Sequence, residues 1–182
     1  METKKLLTPI YELELSNDVS LKIHVKKAKT GILSIILFFA LSIFFIPIIF
    51  FIYLATIGEG IPLGFIITCI VGFLSSGYLL KLYLWNKYGT EVIIIQKKCL
   101  ILYYDYKLFR DNYQKIHFES IQVYFEDNGI LMNASQRVSD PKENANINNV
   151  ICFNLDGKDV KSEGEIPLEE IIKISNYLRQ TN

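Results

Sequence analysis

The chain is poor in the residues that build reactive sites. It has two histidines, three cysteines and one tryptophan, and its 19 basic residues are matched by 19 acidic ones. A charge balance of zero removes the basic footprint on which nucleic-acid binding depends. His24 and His117 stand far apart, and neither has a ligand-type residue three or four positions on, so no metal site is expected. Cys69, Cys99 and Cys152 are scattered and odd in number, which suits a reducing compartment better than a secreted disulfide framework. A single Cys99–Cys152 bridge is the pairing that their strand-like surroundings leave open. No Gly-x-Ser-x-Gly elbow and no phosphate-cradling glycine run occurs, so neither an enzyme nor a cofactor is expected. A Ser–His–acid triad assembled from distant residues stays open on sequence alone.

Charge is missing in a more telling place. Hydrophobic residues make up 51% of the chain, close to the soluble average, so their distribution decides the class. Residues 30–58 carry no charge, residues 60–80 carry none, and Glu59 alone divides the two runs. As helices, residues 31–55 would extend about 38 Å and residues 61–80 about 30 Å, against a bilayer core of about 30 Å. Two wholly apolar helices leave no polar face for a soluble fold to use. A transmembrane hairpin over residues 30–88 is therefore expected. The polar residues that precede the first run, and its length, distinguish it from a signal peptide.

Lys22, Lys26, Lys27 and Lys29 precede the first span, Lys81 and Lys87 follow the second, and the Gly58-Glu59-Gly60 connection has no basic residue. The positive-inside rule then places both termini in the cytoplasm and the protein in the inner membrane as a multi-pass chain. Tyr83, Trp85 and Tyr88 suit an interfacial aromatic belt. Neither span holds an Asp, Glu, Lys, Arg or His, which argues against an ion or proton path. Gly64, Thr68, Gly72 and Ser76 recur every four residues and form a candidate helix-packing face, for the first span or for a second copy. Pro47 is placed to kink the first span.

The remaining chain reads as β structure. Residues 11–15 and 19–25 alternate apolar and polar around Ser16-Asn17-Asp18, giving a hairpin in residues 1–29 that needs a larger sheet to join. After the spans, residues 91–95 and 100–106 flank a Gln96-Lys97-Lys98 turn. A strand over 117–125 meets Asp127-Asn128-Gly129, and 130–132 returns. Residues 148–155 end at Asp156-Gly157, with Val160 opposite, and residues 133–147 are polar, aperiodic and read as a mobile loop. A C-terminal helix starts at Pro167, with Leu168, Ile171, Ile172, Ser175 and Leu178 facing the core.

A hairpin that ends in Trp85-Asn86-Lys87-Tyr88-Gly89-Thr90-Glu91-Val92, followed by short strands and a terminal helix, resembles bacterial two-helix membrane proteins with a pleckstrin-homology-like domain, the YcxB-like proteins. The resemblance implies an α+β membrane protein in which residues 89–182 form a small antiparallel PH-like β-roll capped by the last helix. The N-terminal strands would complete that roll. It supplies no site residues.

The expected function is a non-enzymatic, membrane-anchored cytoplasmic module that binds a protein partner or the inner leaflet. Lys97 and Lys98, with Lys26, Lys27 and Lys29, are candidate contacts for lipid headgroups, although lysines in such places also set topology. The tyrosines and phenylalanines between Tyr103 and Phe118 form a candidate protein-binding patch when exposed. Two other readings are a small oligomeric pore or complex subunit, and an enzyme whose membrane-proximal site uses His117 and Glu119.

Overall fold

The computed structural model describes residues 11–16, 18–58, 60–127, 129–134 and 147–181. Apart from Asn133, Ala134 and Ile147, the loop predicted for 133–147 lies outside them, as do Asn17, Glu59 and Asn128 of the predicted turns and connection. The chain divides into two units. One comprises residues 1–25 with 89–182, and the other residues 26–88.

The second unit is a helical hairpin. Helix α1, Thr30–Ile57, opens on the Lys29 carbonyl, which accepts from the Ile32 and Leu33 N–H groups, and closes at Gly58 in the left-handed conformation. Helix α2, Leu63–Tyr88, begins after Pro62, whose carbonyl accepts from the Phe65 and Ile66 N–H groups. Both are long and apolar enough to cross a membrane, and only 6% of the most apolar window of each is buried. That exposure distinguishes them from the core helices of a soluble protein.

Where the helices meet, small residues and aromatics alternate. The Ser76 hydroxyl donates to the Ala40 carbonyl at 2.8 Å, and Phe44–Phe73 and Phe50–Phe65 pack at 5.4 and 5.2 Å between ring centres. Pro47 has no N–H to offer the Ile43 carbonyl one turn earlier. Gly72 faces that carbonyl and the proline ring, leaving room for no more than a methyl group at 3.8 Å.

The first unit is built from nine described strands and one helix. A five-stranded antiparallel sheet has the order β1-β2-β3-β4-β5: Tyr11–Leu15, Val19–His24, Thr90–Gln96, Cys99–Asp105 and Arg110–His117. Strand β2 pairs with β3 from Val19↔Ile95 to His24↔Thr90, so the N-terminal hairpin completes a sheet whose other strands follow the helices. The second sheet runs β7-β6-β8-β9: Ile130–Asn133, Ile121–Asp127, Asn148–Leu155 and Lys158–Pro167. Helix α3, Leu168–Thr181, follows directly. One core joins both sheets and α3, with Leu21, Ile93, Leu100, Phe125, Ile151, Phe153 and Ile171 all buried.

Three details depart from the sequence reading. The strand expected over 117–125 is two strands, broken at Phe118–Ser120. There the Asp156 carboxylate accepts from the Glu119 and Ser120 N–H groups at 2.8 Å, taking them out of any ladder as the chain changes sheets. Those bonds hold the Asp156 carboxyl below its ordinary range. Strand β5 has an almost wholly polar sequence, so its pattern carried no strand signal. In α3, Pro167 is the last strand residue, and Ile174 is buried while Ile172 is only partly so. The Asp156-Gly157 turn forms as read, with both residues at positive φ between the paired Leu155 and Lys158.

Candidate functional site

Period two along β3 puts Glu91 on the same row as Ile93 and Ile95, which face the core. The carboxylate is buried, 2% exposed, and sequence reasoning gave it no role. Its partner is a bulge in β9. Cys152 pairs with Lys161 and Val150 with Glu165, so Ile151 alone stands opposite Ser162, Glu163 and Gly164. The bulge is fixed by Ser162, whose hydroxyl accepts from the Ile151 N–H and donates to the Gly164 carbonyl.

The N–H groups displaced by the bulge are received by Glu91. Glu163 N lies 3.0 and 3.1 Å from its two oxygens, and Gly164 N lies 3.0 Å from one. A side chain on Gly164 would collide with Ile23, its Cβ falling 2.4 Å from Cγ2. Glycine is therefore the residue that lets β9 reach the carboxylate. The Tyr104 hydroxyl donates to Glu163 Oε1 at 2.7 Å. Burial pushes the Glu91 carboxyl up, against the two backbone bonds that hold it down. Burial and the neighbouring Glu163 push the Tyr104 phenol up, so it stays a donor. This arrangement ties the two sheets together at one corner. Among the described residues no group of three or more metal-ligating side chains gathers anywhere.

A second feature is the β4–β5 connection. Thr90 pairs with Asp105, so residues 106–109 lie at the end of the sheet where β3 begins and where β2 finishes at His24. The Tyr106 N–H donates to the Phe109 carbonyl, and their rings stack at 4.6 Å. Lys107 takes a positive φ, with its N–H held by Asp105 Oδ1. Leu108 between them projects outward.

The residues singled out from sequence are dispersed. Lys97 and Lys98 form the β3–β4 turn, about 20 Å along the strand from Thr90. Lys98 pairs with Glu119 at 2.9 Å. Lys26, Lys27 and Lys29 belong to the helical unit. His117 pairs with Cys99 in register at the Lys97–Lys98 end of the sheet, and Glu119 lies past the end of β5 rather than beside His117 on one strand face. His24 Nδ1 lies 3.0 Å from Thr90 Oγ1. Cys69, Cys99 and Cys152 are free thiols.

Of the four-residue repeat in α2, Gly72 and Ser76 face α1. Gly64 has open space beside it, and the exposed Thr68 hydroxyl turns back to the Gly64 carbonyl. Each step of four residues overshoots a full turn by about 40°, so the stripe rotates off the contact by about 120° from Ser76 to Gly64.

No family model, no curated protein and no solved structure matches the chain.

Proposed function

We propose that this chain is a membrane-anchored interaction module without catalytic activity. Helices α1 and α2 span the inner membrane as a hairpin with both termini in the cytoplasm. The sheet unit, a PH-like β-roll, presents its surface to a protein partner or to the inner leaflet. The observation that carries this reading is the inverted surface of the helical unit, whose outward residues are large and apolar along both helices. Water penalises such a surface over its whole length, and lipid does not. The lysines beside both outer helix ends, and their absence from the connection, support the orientation. Gly64 and Thr68, outside the hairpin contact, leave the pore or oligomer reading two positions of the four-residue repeat.

An impermeant thiol reagent applied to sealed cells tests the topology, in a variant with the three native cysteines replaced. Gly60→Cys is expected to label at once, and Lys158→Cys only after permeabilisation. The reverse order would overturn the reading. Crosslinking in intact cells then tests the module itself, and recovery of nothing but this chain and bulk lipid would remove the protein-binding role.

A further inference from the structure

We infer that the loop Lys107-Leu108-Phe109-Arg110 is a foot that rests on an anionic bilayer surface with Leu108 inserted among the headgroups. The inference rests on the membrane reading above and adds a second, non-covalent contact to it. Leu108 is 76% exposed and Phe109 42%, at the tip of a hairpin held by the Tyr106–Phe109 bond and ring stack. A leucine so displayed on a braced turn is costly in water and useful only where an apolar phase lies next to it.

Two observations favour lipid over protein as that phase. First, a single residue, Gly89, separates α2 from β3, and the first residue of β3, Thr90, pairs with Asp105 beside the loop. The loop thus shares its end of the sheet with the points where the chain leaves for, and returns from, its membrane-length helices. Second, Lys107 and Arg110 flank the apolar pair, the arrangement that suits anionic headgroups around a shallow insertion. Asp105 Oδ1 accepts from the Lys107 N–H and fixes the turn, and Arg110 lies over the Tyr103 ring.

The test uses the full chain in vesicles of phosphatidylcholine with phosphatidylglycerol, with Trp85→Phe removing the native tryptophan. Three single tryptophans are compared by quenching with brominated lipids: Leu108→Trp, Lys98→Trp at the far end of the sheet, and Ile67→Trp within α2. We expect deep quenching for position 67, about twofold quenching by shallow bromines for position 108, and almost none for position 98. Lys107→Glu with Arg110→Glu should abolish the shallow quenching, as should vesicles of phosphatidylcholine alone. Quenching at 67 with none at 108 overturns the foot while leaving the anchor intact. A blue-shifted but unquenched tryptophan at 108 also overturns it, because protein would then be covering the loop. No quenching at 67 overturns the membrane reading itself.

Discussion

The two units use the same apolar side chains in opposite directions. In the sheet unit Phe125 is fully buried, enclosed with Ile151, Phe153 and Ile171. In the helical unit Phe38 is 67% exposed, while Ser76, a polar residue, is buried. On the proposed reading, the two patterns answer two media, water around the sheets and lipid around the helices. The contrast teaches that a phenylalanine's worth is set by the medium outside it as much as by its neighbours.

The strongest way to break this comparison is to make one truncation in both places. Phe125→Ala removes a ring from a closed core and should cost about 3–5 kcal/mol. Phe38→Ala exchanges lipid contact for lipid contact on the proposed reading and should cost less than about 1 kcal/mol in a bilayer. Hydrogen-exchange protection of the β3 and β8 amides reports the first, and thermal unfolding in nanodiscs the second. Equal costs would mean that Phe38 is covered by protein, and the comparison would collapse.

This contrast also explains what was legible in the sequence. The charge-free runs 30–58 and 60–80 marked both long helices because composition alone suffices there. The alternation Val19-Ser20-Leu21-Lys22-Ile23 marked β2 because one face is buried and the other is not. Arg110 to His117 gave no such signal, since an edge strand exposed on most of its length has no pattern to show. The break at Glu119–Ser120 was invisible for another reason. Its cause, Asp156, is distant in sequence, and no local window contains it. Glu91 was missed in the same way, because its row on β3 and the bulge that needs it are separated by most of the second sheet.

Glu91 sharpens the comparison from the other side, as a polar group taken into the sheet unit's core. Its folded pKa lies above the ordinary 4.5, raised by burial. The folded state therefore holds the proton more tightly than the unfolded state does. The stability from this group is fully present below 4.5 and is lost as pH rises through the raised value. Glu91→Gln should flatten that dependence, because the amide carries no titrating proton. Glu91→Ala should cost about 1–3 kcal/mol, by leaving the Glu163 and Gly164 N–H groups without an acceptor. Chemical denaturation of the reconstituted chain across acid and neutral pH distinguishes the two variants. A Gln variant with the parent's full slope would show that another group carries it.

The smallest expected effect lies at the helix contact, where a polar group is again turned inward but, on the proposed reading, lipid replaces water outside. Ser76→Ala removes one hydrogen bond, to Ala40, and should cost only about 0.6 kcal/mol, because a serine freed in a membrane can bond to its own helix instead. Gly72→Ala should be nearly neutral, since its Cβ would sit 3.8 Å from Ile43 and Pro47, an ordinary contact. Gly72→Leu has no such room and should separate the helices near Pro47. Detergent titration of the hairpin in mixed micelles measures all three. A Ser76→Ala cost as large as that of Glu91→Ala would mean that buried polar groups count equally in both units, and the difference in outer medium would then explain nothing.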